Sequence, residues 1–181
     1  MSIHNEIDRL IGKGELFSID LFLGDPVARM MVVSTEVQEL LDGPWESVTM
    51  ERRCGRLEAD LQAFVKGDFI PISLTPYEHK TAYMGRLDRP EDEVWDIRSR
   101  DPNPGLRVFG RFGDIDLFIA LNWAPRSVEW GSQPPLGNTS TMNWDFAILE
   151  CQERWRGLFS GYEPVHGESI HDYVSSNVIL V

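Results

Sequence analysis

The chain has 181 residues, of which 42% are apolar and 10% aromatic, so it can bury a substantial core within one domain. Its formal net charge of −12 argues against a protein whose whole surface binds nucleic acid, because such binding depends on many Lys and Arg side chains. No stretch approaches the roughly 18 consecutive apolar residues that a membrane-spanning helix needs, so we expect no membrane span.

The first part of the chain alternates short helices with short strands. Capping residues mark the helix starts, glycines mark their ends, and apolar runs with β-branched residues indicate the strands. In chain order we predict a helix from Ser2 to Gly12, strands over Glu15–Leu23 and Ala28–Ser34 joined by a turn at Gly24-Asp25-Pro26, a brief helix capped by Ser34 or Thr35, a helix from about Trp45 to Lys66, and a strand over Phe69–Leu74. The two N-terminal strands would form a hairpin.

A polar connection over Thr75–Glu93 separates these elements from the next strands. A loop of this length inside a compact domain tends to be functional or mobile. It supplies several groups capable of acid–base chemistry, among them Tyr83, although most such side chains are ordinary surface groups.

Three consecutive antiparallel strands are predicted over Val94–Arg126. The prolines and glycine of Asp101-Pro102-Asn103-Pro104-Gly105 cannot continue a ladder, and Gly113-Asp114 makes the second turn. Alternation of side chains assigns one apolar face, carrying Trp95, Ile97, Leu106, Val108, Phe112, Ile115, Leu117, Ile119 and Leu121. The other face would carry Arg98, Arg100, Arg107 and Arg111, with Phe109 and Phe118 among them and Asp96 and Asp116 at its margins.

The arginine-bearing face allows two interpretations. Opposite charges across neighbouring strands stabilise a solvated sheet by about 0.2–1 kcal/mol a pair, so the arginines can simply form a ladder with Asp96 and Asp116. Alternatively, guanidinium groups and aromatic rings on an open sheet bind phosphates and stack bases. The stretch 94–126 holds five Arg against four Asp, which makes it the least acidic region of the chain.

The remainder is predicted to be a linker followed by a helix and a strand. Residues 127–138 are rich in Pro and Gly. A helix capped by Thr139, Ser140 or Thr141 would carry one apolar stripe, formed by Trp144, Ala147, Ile148, Cys151, Trp155, Leu158 and Phe159. This stripe would dock onto the body or onto a second copy of the chain. The final residues, Val178-Ile179-Leu180-Val181, indicate a terminal strand.

Several kinds of chemistry have no signal in the sequence. His166 and His171 are spaced so that they share no helical face, and no zinc motif, phosphate loop, dinucleotide fingerprint or nucleophile elbow occurs. We therefore expect neither a metal nor a cofactor. Cys54 and Cys151 each fall on an apolar helical stripe, and the N-terminus has no signal-peptide pattern, so we expect a reduced, soluble, cytoplasmic protein.

Three short motifs follow one another in the predicted strands: Trp95-Asp96-Ile97-Arg98, Gly105-Leu106-Arg107-Val108-Phe109 and Leu117-Phe118-Ile119-Ala120-Leu121. With the preceding order of one strand and two helices, they resemble the RelE/HigB toxin superfamily over roughly residues 28–126. Members of that family are small α/β proteins that cleave messenger RNA, usually on the ribosome, and are held inactive by an antitoxin. The resemblance implies an α+β fold, an antiparallel sheet with two helices packed on one face. The whole chain would form a single domain around the core of residues 28–126. An N-terminal extension would precede the core, residues 127–138 would be a linker, and residues 139–181 a C-terminal appendage.

The resemblance also implies roles for individual residues. Arg107 matches the central-strand arginine that acts on the scissile phosphate, Arg98 matches the arginine of the preceding strand, and Arg126 lies near the basic residues after the last strand. The implied reaction is metal-free: the 2′-hydroxyl attacks the adjacent phosphate while fixed guanidinium groups stabilise the transition-state charge. The candidate catalytic residues are Arg98, Arg107 and Arg126, and the candidate substrate-binding residues are Arg111, Phe109, Phe118 and Tyr83.

Two features differ from the family. The chain is acidic, and it has Asn122-Trp123-Ala124-Pro125 where the family has a lysine-rich run. We therefore predict a toxin-like, metal-independent ribonuclease, or an inactive derivative with the same fold, with RNA, the ribosome or an antitoxin as partner. The alternative is a non-enzymatic interaction module of phage or mobile-element origin that forms a homodimer or binds a protein through its C-terminal aromatic helix. A third hypothesis is an enzyme with a small-molecule pocket between the sheet and the Thr75–Glu93 loop.

Overall fold

One sheet organises the part of the chain that this computed structural model describes, namely residues 2–21, 24–76, 81–125 and 139–181, with the backbone alone for 139–144. The helices in these ranges are α1 (Ile3–Gly12), α2 (Thr35–Asp42), α3 (Val48–Lys66) and α4 (Thr139–Leu158). The strands are β1 (Leu16–Ser18), β2 (Met30–Ser34), β3 (Ile70–Ser73), β4 (Met84–Arg86), β5 (Trp95–Ser99), β6 (Leu106–Asp114), β7 (Leu117–Pro125) and β8 (Val178–Leu180).

The sheet is mixed, with the strand order β1-β2-β7-β6-β5-β4-β3-β8. Strands β5, β6 and β7 are antiparallel, as predicted. The expectation of a purely antiparallel sheet is wrong, because β2 pairs parallel with β7, and β3 pairs parallel with both β4 and β8. Parallel neighbours need a crossover connection, and helices α2 and α3 lie on the path from β2 back to the sheet.

Helices cover both faces of the sheet. The α+β class is therefore confirmed, but the prediction that helices pack on only one face is wrong. The core of one face contains apolar side chains from α2 and α3, which pack on Trp95, Phe112 and Phe118. The core of the other face contains side chains from α1 and α4, which pack around Phe109 and Ile119. The result is a three-layer arrangement of helices, sheet and helices.

Helix boundaries follow local capping signals. Ser2 and Ser34 accept hydrogen bonds from the first turns of α1 and α2, as the sequence suggests. Helix α3 begins after Ser47, three residues later than predicted, and ends at Gly67 in the left-handed conformation. The predicted N-terminal hairpin is confirmed as an antiparallel pair of β1 and β2, although both strands are shorter than expected.

The hairpin between β6 and β7 turns later than the sequence indicates. Gly113 and Asp114 remain in β6, and the turn falls on Ile115 and Asp116. Asp116 has a φ of +60°, and its carboxylate accepts a hydrogen bond from the Ser175 backbone N–H at 3.0 Å. Short polar side chains tolerate this left-handed conformation through such bonds, which explains the position of the turn.

The later turn changes which face each β7 side chain occupies. Leu117 and Ile119 lie in the same core as Phe109, whereas Phe118 lies with Phe112 in the opposite core. The prediction that Phe109 and Phe118 share a face is therefore wrong. The prediction failed because both faces of β7 are covered by helices. Apolar residues therefore occupy both faces, and their alternation gives no signal.

The predicted polar loop and terminal strand both contribute to the sheet. Strand β4 lies within Thr75–Glu93 and joins β3 to β5, while residues 77–80 lie outside the described ranges. Strand β8 is confirmed and forms an edge of the sheet beside β3. The predicted linker 127–138 also lies outside the described residues.

Candidate functional site

Two candidate arginines meet at a buried carboxylate on strand β5. Arg98 and Arg107 lie directly opposite each other in the β5–β6 ladder. The two oxygens of Asp96, which is fully buried, accept hydrogen bonds from Arg98 Nε at 3.0 and 3.1 Å, and Oδ2 also accepts one from Arg107 Nη1. One carboxylate therefore offsets the repulsion between two cations that the ladder places side by side.

Strand β4 leaves space for this arginine cluster, which consists of Asp96, Arg98, Arg100 and Arg107. Gly85 pairs with Asp96 across the β4–β5 ladder, and a Cβ at Gly85 would lie 3.2 Å from Arg98 Cζ. Burial, together with repulsion from Arg98 and Arg107, lowers the pKa of Arg100. The three arginines therefore share one electrostatic environment, and Asp96 is their buried counter-charge.

Arg111 lies apart from the arginine cluster, beneath helix α4. It is only 8% exposed, its Cζ lies 5.3 Å from the centre of the Trp155 ring, and its Nη2 donates a hydrogen bond to the Asp92 carbonyl oxygen. Burial lowers the pKa of Arg111 by removing water from the guanidinium. The predicted open sheet face carrying Arg111 is thus covered by a helix.

The aromatic candidates are internal. Phe109 and Phe118 are both fully buried, in the cores on opposite faces of the sheet. The Phe118 ring packs 5.1 Å from the Phe112 ring and 6.2 Å from the Phe64 ring. Neither Phe109 nor Phe118 presents a surface on which a base could stack.

Tyr83 belongs to the packing between α3 and the sheet. Its hydroxyl donates a hydrogen bond of 2.6 Å to the carbonyl oxygen of Asp60, and burial raises its pKa well above the ordinary value. Arg126, the remaining candidate, lies outside the described residues. The structure therefore brings together Arg98 and Arg107, with the buried Phe109 opposite Asp96 in the same ladder. Arg111, Phe118 and the Tyr83 side chain lie elsewhere.

A second polar centre, around Glu93, has no signal in the sequence. Glu93 is buried and holds a left-handed φ of +51°. Its carboxylate accepts hydrogen bonds from the Tyr173 hydroxyl at 2.8 Å, from Trp95 Nε1 at 3.3 Å and from Arg86 Nη1 at 3.3 Å. Burial and the hydrogen bond to Glu93 raise the pKa of Tyr173. This network joins the β4–β5 connection to the C-terminal segment, and His166 Nδ1 lies 3.8 Å from Glu93 Oε1.

A cavity of about 320 Å³ adjoins the Glu93 network. Its walls come from the short 3-10 turn Pro90–Asp92, strand β6, the end of α4 and the segment after it. The lining side chains combine charged groups with aromatic rings: Glu91, Asp92, Arg111, Gln152, Trp155, Arg156, Phe159, Tyr162, Glu163 and His166. The third hypothesis placed a pocket between the sheet and the Thr75–Glu93 loop. This cavity borders Glu91 and Asp92 of that loop and Arg111 of the sheet, but α4 and the segment after it form most of its wall.

The histidine-containing segment near the C-terminus has a local structural role. Asp172 Oδ2 accepts hydrogen bonds from the backbone N–H groups of Glu168 and Ser169, both at 2.9 Å, and so caps the 3-10 turn Ile170–Asp172. Among the described residues, no group of three or more His, Cys, Asp and Glu side chains could hold a metal ion. No helix in those same ranges is both long and apolar enough to cross a bilayer.

Comparison with known proteins gives no relative from which a function could be transferred. No family model matches this sequence, and no match is found among curated proteins or among solved structures.

Proposed function

We propose that this chain is a non-enzymatic binding protein built on a RelE-like core, an inactive derivative that contacts another protein through the outer face of α4. The observation that carries the proposal is the burial of Asp96 between Arg98 and Arg107. A scissile phosphate at these arginines would compete with a carboxylate that already occupies both guanidinium groups. The cluster therefore suits stability better than phosphoryl transfer.

The order of elements supports the core. Strand β2, helices α2 and α3, and strands β5, β6 and β7 follow one another as in the resemblance, with β3 and β4 inserted before β5. The parallel pair of β2 and β7 makes one compact unit of these elements. The aromatic candidates of the toxin hypothesis lie in its two cores rather than on a surface.

Helix α4 offers the contact surface. Its inner side is held on the sheet by Asn122 Nδ2, which donates to the Ala147 carbonyl at 3.0 Å, and by Arg154 Nη1, which donates to the Leu121 carbonyl at 3.1 Å. Its outer side exposes two large apolar side chains, Phe146 at 63% and Leu149 at 49%. A firmly held helix with apolar side chains facing water is a common recognition surface.

The partner we propose carries basic groups beside an apolar patch. The exposed Asp145 and Glu153 lie one helical turn before and after Leu149, and the whole chain has a net charge of −12. Two copies of so acidic a chain repel each other, whereas a basic partner is attracted and guided to the site. Charge therefore favours a different protein over a second copy of this chain.

Affinity purification from cells that naturally express the protein tests the α4 surface. We expect the wild type to retain a basic protein that Leu149→Asp loses, because a carboxylate in the apolar patch disfavours burial. Ile115→Asp is the matched control, since Ile115 is also 49% exposed but lies on the β6–β7 turn. Equal retention by both variants, or a wild-type homodimer that Leu149→Asp dissociates, would contradict the proposed partner.

Ribonuclease activity is the second candidate function, favoured by one feature of the arginine cluster. Arg98 and Arg107 both donate to Asp96, Arg100 lies in the same electrostatic environment, and the Arg107 side chain remains 19% exposed. Several guanidinium groups close together, one of them partly exposed, suit a phosphate. Under this hypothesis the phosphate would displace Arg107 from Asp96.

A cell-free translation extract separates the two functions. Purified wild type and Arg107→Ala are added side by side, and both protein synthesis and the integrity of the message are measured. We expect intact message with both proteins. Cleavage by the wild type that disappears with Arg107→Ala would replace the binding proposal by the ribonuclease one.

A further inference from the structure

The cavity beside α4 contains a buried cation that lacks a carboxylate partner within the described part of the chain. Other buried arginines there have one, since Arg29 lies 3.8 Å from Asp116 and Arg86 lies 3.3 Å from Glu93. For Arg111 the described residues supply a single hydrogen bond, from Nη2 to the Asp92 carbonyl oxygen. Its Nε is buried and has no acceptor among those residues.

Burial of the Arg111 guanidinium is unfavourable, because it has lost water and the carboxylates of Glu163 and Asp92 act on it only from beyond ion-pair distance. Arginine remains protonated under these conditions, so it cannot relieve the penalty by releasing its proton. The Trp155 ring offsets part of the loss through a cation–π contact at 5.3 Å. Because Arg111 lies at the wall of a cavity of about 320 Å³, an anion from solution can bind the guanidinium and offset the remaining penalty of its burial.

The other lining groups restrict which anion fits. The carboxylates of Glu91, Asp92 and Glu163 also line the cavity and outnumber its two arginines, Arg111 and Arg156, so the site does not favour a multiply charged anion such as phosphate. A molecule with one carboxylate and one ammonium group satisfies both signs of charge. The aromatic side chains Trp155 and Phe159 provide apolar surface for the remainder of such a molecule.

We propose that the cavity binds a free α-amino acid, with its carboxylate on Arg111 and its ammonium group toward Glu91, Asp92 and Glu163. Arg111 donates to the carboxylate from its terminal Nη1 and Nη2 groups, because its Nε is enclosed by protein. Gln152 lines the same cavity and accepts a hydrogen bond from Arg156 at 3.4 Å. This site is independent of the α4 contact surface and of the arginine cluster.

Thermal unfolding of the full chain with each standard amino acid at millimolar concentration identifies the ligand, because binding to the folded state alone raises the Tm. Calorimetry then compares the best amino acid with two relatives of it, its α-amide and the acid that lacks the amino group. We expect each relative to bind at least tenfold more weakly, since each lacks one of the two charges.

Variants of Arg111 separate binding from folding. Arg111→Met should lose amino-acid binding while the ligand-free protein keeps or gains stability, because an unpaired buried charge is removed. Arg111→Lys keeps the charge but not the fork, so it should fold and bind at least tenfold more weakly; it decides the question if the Met variant does not fold. Arg56→Met, which alters an exposed arginine of α3 paired with Asp60, should bind as the wild type does.

Several results would overturn the proposal. They are the absence of a Tm increase with any amino acid, equal binding of the acid that lacks the amino group, tighter binding of inorganic phosphate, and wild-type affinity in Arg111→Lys. A folded Arg111→Met protein that is clearly less stable without ligand would instead make Arg111 a structural residue.

Discussion

At the scale of single residues, Asp96 decides how the central strands tolerate their arginines. The β5–β6 register places Arg98 opposite Arg107, and like charges in that position are destabilising. Asp96 is buried and bonded to both guanidinium groups, so the local charge is reduced where water cannot screen it. The Asp96 carboxylate therefore stabilises the pairing of these strands.

Replacing Asp96 tests this dependence. Asp96→Asn removes the charge and keeps the shape, so it should lower the free energy of unfolding by about 3–5 kcal/mol, the typical effect of removing one partner of a buried ion pair. Urea denaturation of the variant measures the loss. Asp101→Asn, at an exposed position just after β5, is the control and should change stability little. A loss of similar size in the control would assign the effect to net charge instead.

Gly85 makes the arrangement of Asp96 and Arg98 sterically possible. A Cβ at this position would lie 3.2 Å from Arg98 Cζ and 3.5 Å from Asp96 Oδ1, closer than the guanidinium allows without moving. Gly85→Ala should destabilise the protein by about 1–3 kcal/mol through overpacking. Gly55→Ala, in α3 with no atom within 4 Å of the added Cβ, is the control and should stabilise slightly. Wild-type stability of Gly85→Ala would show that Arg98 is free to move.

At the scale of elements, the sequence predicted helix ends, which local interactions determine. Ser34 and Gly67 mark helix ends as predicted, because capping involves residues only a few positions apart, whereas Ser47 caps α3 three residues after its predicted start. The face of the sheet on which each β7 side chain lies could not be predicted in the same way, because Leu117 and Phe118 are both apolar and helices cover both faces. The parallel neighbours β2 and β7 leave no local pattern either.

Strand β8 protects an edge of the sheet. It pairs parallel with β3, and the backbone N–H of Val181 donates to the Ile72 carbonyl at 3.0 Å. Removing residues 178–181 should therefore promote aggregation more than unfolding, because the edge of β3 becomes available to other chains. Light scattering during incubation measures this. Ile179→Lys keeps the strand with an exposed charge and should remain monodisperse; equal scattering by truncated and wild-type protein would contradict the role of β8.

At the scale of the whole molecule, the candidate site shows where sequence reasoning stops. Arg98 and Arg107 were identified because strand alternation places them on one face, and the structure brings them together. The Glu93 network was missed because Tyr173 lies 80 residues from Glu93 in sequence, and neither residue belongs to a local motif. For the cavity, the sequence suggested only a pocket between the sheet and the Thr75–Glu93 loop, and it placed neither Arg111 nor α4 there, since α4 follows a stretch of chain with no periodic pattern.

The buried thiol of Cys151 predicts how the whole molecule responds to alkali. Burial raises the pKa of Cys151 from 9.0 to about 12. Above the ordinary value the unfolded thiol releases its proton while the folded thiol retains it, so stability is full below pH 9.0 and falls as the pH rises toward 12. Urea unfolding at increasing pH should show a shallower fall for Cys151→Ala than for the wild type. Parallel profiles would assign the alkaline loss to other groups, such as Tyr173.

The parallel pairing of β2 with β7 has a kinetic consequence. Ser34 Oγ donates to the Leu121 carbonyl across 87 positions of sequence, and the intervening chain includes two helices and four strands of the same sheet. This long loop must close, at a cost in entropy, before most of the stabilising contacts can form. The high contact order should therefore make folding slow. During synthesis, β2 and its helices emerge well before the strand that completes their layer. The N-terminal half would therefore wait with its apolar face uncovered, the stage at which a chaperone would be most useful.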